Sequence, residues 1–258
     1  MFSMPRMSSC TAMAVLALAL LGGPLAQPAA AANFNVNPTQ VFLSSKANSA
    51  LVTVRNDSTE PLRFQLSVFA WDQSASGELE LTPTDDIVFF PSLLTLGPNE
   101  ERRVRVGRVT AAGEREKTYR IFIEEMPPLE AIGTSGGAAV RVLTKMGVPI
   151  FVRPAKETAT AVIGDLAQRA GAVHFTLSNT GTVHFVPSQV TVRGMAGSNP
   201  VFEQKLDGWY VLSGGKRDFT MIVPENDCGR VTAFVVEVAV NSSKLTQTLD
   251  APSGACTQ

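Results

Sequence analysis

Ala138–Pro154, AAVRVLTKMGVPIFVRP, decides how the rest of the chain is read. A glycine-rich loop with Gly133, Gly136 and Gly137 leads into it, and the strand-like YRIFIEEMPP of residues 119–128 precedes that loop. Val140, Val142, Thr144 and Met146 fall on one face at the two-residue period of a β-strand. Arg141, Leu143 and Lys145 take the opposite face, with Leu143 the better candidate for packing inside its own domain. A strand with a bare edge templates pairing with another chain, so folded proteins normally cover one. The loop before this strand points to an edge kept available for binding.

Working outward, the first 32 residues read as a secretion signal. Arg6 supplies the positive start, Met13–Leu21 (MAVLALALL) the apolar stretch, and Ala30-Ala31-Ala32 a small-residue cleavage point before Asn33. That apolar stretch is far short of the roughly 20 residues a membrane-spanning helix needs. Gly22, Gly23 and Pro24 then interrupt it, so no stable membrane insertion is expected. Cleavage leaves 226 residues (258 minus 32), enough for two ordinary domains.

Cleavage also removes Cys10, leaving Cys228 and Cys256. An even pair in an oxidising compartment favours a disulfide, with two free thiols as the alternative. In the chain-entropy model such a bridge would contribute about 3–4 kcal/mol. Losing Arg6 moves the net charge from −1 to −2, which does not point to nucleic acid or an anionic membrane as partner. Arg102, Arg103, Arg105 and Arg108 read as the solvated face of a strand.

Strand character fills the mature chain, and no helical period of ten or more residues stands out. Phe34–Leu43 alternates around Pro38, as an edge strand tolerates. Ala50–Arg55, Leu62–Trp71, Ile87–Phe90, Glu101–Val109 and Thr118–Glu124 follow at sandwich spacing, with Asn56-Asp57-Ser58 and Leu94–Asn99 as turns. The second half repeats the grammar. Ala172–Leu177 runs into Ser178-Asn179-Thr180-Gly181, followed by Val183–Val186 and Gln189–Arg193. Val211–Gly215 then precedes Arg217–Val223 as Leu96-Gly97-Pro98 precedes Arg103–Val109. Arg230–Val240 and Leu245–Leu249 close the series. The fold class is therefore all-β. The expected division is a signal over 1–32, one sandwich over 33–154 and a second over 155–258, with Pro154 limiting backbone freedom at the junction.

Catalytic chemistry is not legible here. His174 and His184 both fall in expected strands, where a histidine is usually a satisfied or surface residue rather than part of a triad. Asp85-Asp86 and Glu124-Glu125 are adjacent pairs whose members point to opposite strand faces. Gly133–Gly137 lacks the lysine and following helix of a phosphate loop and reads as linker. Two thiols and distant histidines give no metal-ligand spacing. No enzyme, metal or cofactor is expected.

An ordered set of motifs resembles the PapD-like periplasmic pilus-assembly chaperones of the chaperone–usher pathway across nearly the whole mature chain. The set comprises Thr39-Gln40-Val41-Phe42-Leu43; Leu51–Asn56 with Pro61 and Phe64; and Pro91 followed by Leu96-Gly97-Pro98-Asn99 and Val104-Arg105-Val106. Tyr119–Glu125 with Pro127, the alternating strand and Pro149–Pro154 complete it.

The resemblance implies two immunoglobulin-like β-sandwiches set at an angle around a subunit-binding cleft, in a protein of the periplasm. It implies pilus or fibre subunits and an outer-membrane usher as partners, with no nucleic acid. The chaperone would lend a strand to a subunit lacking its own last one, giving Ala138, Val140, Val142, Thr144 and Met146 as the donor row. It also implies basic residues that grip the subunit's terminal carboxylate. Most members carry arginine where this chain has Gln40, and their cleft lysine falls near Gly147. The divergent, archaic branch is the nearer likeness, which leaves Arg120 and Lys145 as the expected anchors. The alternative reading is a structural or adhesive two-domain protein of a surface fibre.

Overall fold

The computed structural model describes residues 33–129 and 142–251. Its first strand is not the continuous one the alternation of Phe34–Leu43 predicts. Pro38 has no N–H to give a ladder, and the chain changes sheets there. Strand β1 (Phe34–Asn37) pairs antiparallel with β3 (Ser49–Asn56), whereas β2 (Val41–Leu43) pairs parallel with β10 (Lys145–Val152).

The first sandwich follows from that switch. One sheet has the order β1, β3, β8 (Glu101–Arg108), β6 (Ile87–Phe90). The other runs β2, β10, β9 (Lys117–Glu125), β4 (Leu62–Gln73), β5 (Leu79–Pro83), with β7 (Leu93–Leu96) also against β4. In β8, Val104 and Val106 are buried while Arg102, Arg103 and Arg105 are exposed, so alternation sets the inner face. Val36, Val52 and Val54 join them against Phe64, Leu66, Ile121, Ile123, Val148 and Ile150 of the second sheet. Each such side chain is worth about 1.5–3 kcal/mol when fully buried.

The second sandwich packs β11 (Ala161–Arg169), β12 (Ala172–Asn179) and β15 (Lys216–Ile222) on a sheet ordered β14 (Asn199–Leu206), β13 (Gln189–Ala196), β16 (Ala233–Val240), β17 (Ser243–Asp250). Val173, Phe175, Leu177 and Met221 meet Val190, Val192, Phe234, Val236 and Val238 in its core. The helix α1 (Glu225–Cys228) is a single turn. The strand expected over Val183–Val186 is only a bridge between Phe185 and Val211.

The echo between halves is physical. Asn56 and Asn179, both buried, end β3 and β12. The Asn56 carboxamide donates to the carbonyls of Glu60, Leu96 and Gly97, and its oxygen accepts from the Ser58 N–H. Asn179 donates to the carbonyls of Val183 and Val211 and accepts from the Gly181 N–H. In each sandwich one asparagine ties its own turn to the distant turn before β8 or β15. Those distant turns match as well, with Asn99 at φ 59° and Gly214 at φ 74°.

The sandwiches touch through Trp71, Phe151, Tyr210 and Leu212, which form a separate small core. Beside it, Glu116 accepts from the backbone N–H of His184 at 3.0 Å and bonds its ring Nδ1 at 2.5 Å. The His184 ring stacks on Phe151, centroids 3.8 Å apart. His184 is thus a satisfied residue of the junction, and His174 bonds Thr220 on the surface of β12.

Candidate functional site

Strand β10 is covered unequally. Along its whole length, Lys145 to Val152, it pairs with β9. On its other edge β2 reaches only Ile150, Phe151 and Val152. Among the described residues nothing pairs with that edge from Lys145 to Pro149. Alternation fixes which groups are bare. The Glu125 N–H donates to the Thr144 carbonyl and the Arg153 N–H to the Leu43 carbonyl. Even-numbered residues therefore bond β9, and the N–H and C=O groups of Lys145 and Gly147 face the open edge. Pro149 also faces that way, so its missing donor costs β9 nothing.

Val148, Ile150 and Val152 are fully buried in the first sandwich's core, and Met146 packs against that core. Thr144 is half-buried, and Val142, at 48% exposure, leaves the core altogether. Of the expected donor row, Met146 alone among the described residues lies on β10, which begins at Lys145; Val142 and Thr144 stand just before it. Ala138 and Val140 lie outside the described residues, as does the glycine-rich run of residues 133–137. Leu143 is 43% exposed and lies on the face away from the core, which corrects the expectation that it packs inside its own domain. The apolar row of even residues took the core instead.

The two expected basic residues differ sharply. Lys145 Nζ lies 2.8 Å from Glu124 Oε2 and 4.9 Å from the Phe122 ring centre. Arg120 faces Pro149 across the β9–β10 ladder. Its guanidinium lies 4.3 Å over the Trp71 ring, and among the described residues no carboxylate pairs with it. Its buried Nε has no hydrogen-bond partner, and burial pushes the group below its ordinary pKa.

The surroundings of Arg120 come from both sandwiches, which single-strand patterns do not reveal. Tyr210 meets Trp71 edge-on at 5.3 Å and accepts a 2.6 Å hydrogen bond from Gln40 Nε2. Trp209, 43% exposed, packs edge-on against Tyr210. The only sequence signal for this cluster was the scarcity of its members, since the chain has two tryptophans and two tyrosines. Cys228 is buried in the second core, and Cys256 lies outside the described residues. Among the described residues no group of three or more His, Cys, Asp or Glu could hold a metal, and no helix is long and apolar enough to cross a membrane.

Two joined immunoglobulin-like sandwiches with a strand left partly unpaired define the fold class. Residues 33–158 match the PapD N-terminal domain of the pili and flagellar-assembly chaperones. The chain belongs to the PapD-like chaperones. Among solved structures it is similar to a chain of the CsuC–CsuE chaperone–tip adhesion subunit complex from the archaic chaperone-usher Csu pili of Acinetobacter baumannii, with TM-score 0.58 and 16% identity over 84% of this chain and 98% of that one. The Salmonella enterica SafA pilin–SafB chaperone complex gives 0.57 and 17% over 86% and 99%. The E. coli chaperone DraB gives 0.53 and 18% over 86% and 98%. No curated protein matches the sequence.

Proposed function

We propose that this chain is a periplasmic chaperone that holds and delivers pilus or surface-fibre subunits by lending them the open edge of β10. The observation that carries this reading is the bare stretch from Lys145 to Pro149, continued by an apolar row that leaves the core at Val142. A client strand laid on that edge would gain main-chain hydrogen bonds from Lys145 and Gly147. Its pockets would take Val142, Thr144 and, further out, Val140 and Ala138, with Met146 at the rim of the core. Ordering and desolvation would leave only part of that gain as net affinity.

Arg120 is the anchor for a subunit's terminal carboxylate in this reading, because Lys145 already has Glu124 as partner. Gln40 and Arg120 in place of the commoner basic pair are what favour the archaic branch. The signal over 1–32, sandwiches bounded at 154 and 155, a Cys228–Cys256 bridge and hand-over to an outer-membrane usher complete the proposal. No catalytic step is involved. Relatives support a subunit partner, since similar chains were solved with a tip adhesion subunit and with a pilin.

Co-expression with candidate subunits followed by pull-down tests the reading. A 1:1 complex is expected, and Val142→Asp should abolish it while leaving the half-exposed site's own fold intact. Undiminished capture by V142D would overturn the proposal.

A further inference from the structure

A second uncommitted donor stands beside Arg120, on the other sandwich. Tyr210 Oη accepts from Gln40, and among the described residues its own hydroxyl proton has no acceptor. Both Arg120 and Tyr210 rest against Trp71, one over its face and one at its edge. Two unspent donors from two domains therefore converge on one aromatic wall.

We infer that Tyr210 and Arg120 form a single carboxylate cradle shared between the sandwiches, in which the Tyr210 hydroxyl donates to the same carboxylate that Arg120 pairs. A carboxylate has two oxygens and about four lone-pair sites, so it accepts both donors at once. One guanidinium balances one negative charge, which fits a carboxylate better than a phosphate dianion. The flat Trp71 surface holds the guanidinium plane, and partial burial strengthens the charge-assisted bond. Position agrees as well. Strand β2 takes over the β10 edge at Ile150, so a client strand has to end beside Pro149, whose ladder partner is Arg120.

Gln40 then has a defined role. Where most relatives by resemblance place a cation, this chain places an amide that engages the Tyr210 lone pair and leaves the hydroxyl proton for the ligand. The cradle requires both sandwiches, so binding a chain end would also fix their relation.

The inference rests on the subunit-binding reading above, and one titration separates the two. The probes are a synthetic peptide of alternating valine and threonine with a free C-terminal carboxylate, and the same peptide amidated, titrated calorimetrically into the mature chain. Wild type should prefer the acid by about tenfold or more, as a charge-assisted bond to a partly buried site implies. Tyr210→Phe, which keeps the ring against Trp71, should lower the acid-to-amide ratio several-fold, and Arg120→Gln should erase it. An unchanged ratio in Y210F, or no acid preference in wild type, would overturn the cradle. Val142→Asp addresses the other claim. If it leaves both peptides binding while Y210F still lowers the ratio, strand lending fails and the cradle stands.

Discussion

Arg120 fills the space that a side chain at Gly147 would need. A Cβ built at Gly147 would stand 3.2 Å from Arg120 Cδ and 3.0 Å from Phe122 Cε1. A bare position on β10 is thus what lets an arginine from β9 lie flat on Trp71, 4.3 Å from its ring centre. Strand and anchor are built around one missing side chain.

Gly147→Val should therefore displace Arg120 from Trp71. Overpacking of this kind costs about 1–3 kcal/mol, read by chemical denaturation, and tryptophan emission should shift because Trp71 loses its cation. A valine tolerated with unchanged stability and emission would show that the Arg120 stem is not confined there.

The two buried asparagines should behave alike. Asn56→Ala removes a donor to the Leu96 and Gly97 carbonyls and the acceptor of the Ser58 N–H, and Asn179→Ala removes a donor to the Val183 and Val211 carbonyls and the acceptor of the Gly181 N–H. Each loss should cost about 1–3 kcal/mol, the penalty for a buried polar group left unpaired. Equilibrium unfolding of the single variants checks it, and a neutral result for either would mean that water replaces the amide.

Acid sensitivity should trace in part to the outer face of the second sandwich. Lys244 Nζ lies 2.5 Å from Glu237, and Arg193 bonds both Glu237 and Glu203. The Lys244 contact first, and Arg193 next, hold the Glu237 carboxyl below the usual carboxylate range. A depressed folded-state pKa gives stability that is present above the unfolded value and lost as pH falls through the folded one. Glu237→Gln should therefore be less stable than wild type at neutral pH, with the gap closing below about pH 4. A gap that stayed constant on acidification would rule out the carboxylate as its source.

Alternation made much of this fold legible. The burial of Val104 and Val106 beside exposed Arg103 and Arg105 follows directly from a period of two. The asparagine turns were visible because each sits at the end of an apolar run. Sheet membership was not visible, since Pro38 marks a break without saying that the chain crosses to another sheet. β11 and β14 were missed because neither carries a buried residue to mark a period. At the site, the apolar period was legible as far as Met146, which packs on the core, but Leu143 was misjudged because both faces carry apolar residues. Tyr210 lies 90 residues from Arg120 in sequence and no local pattern links them.

The central claim is that the outward backbone groups of Lys145 and Gly147 are free until a subunit arrives. Amide hydrogen exchange of the mature chain, alone and in complex with a captured subunit, measures this at those two residues. Rapid exchange when alone and strong protection in the complex is the predicted result. Protection already complete in the free chain, or exchange unaltered by the subunit, would contradict the account.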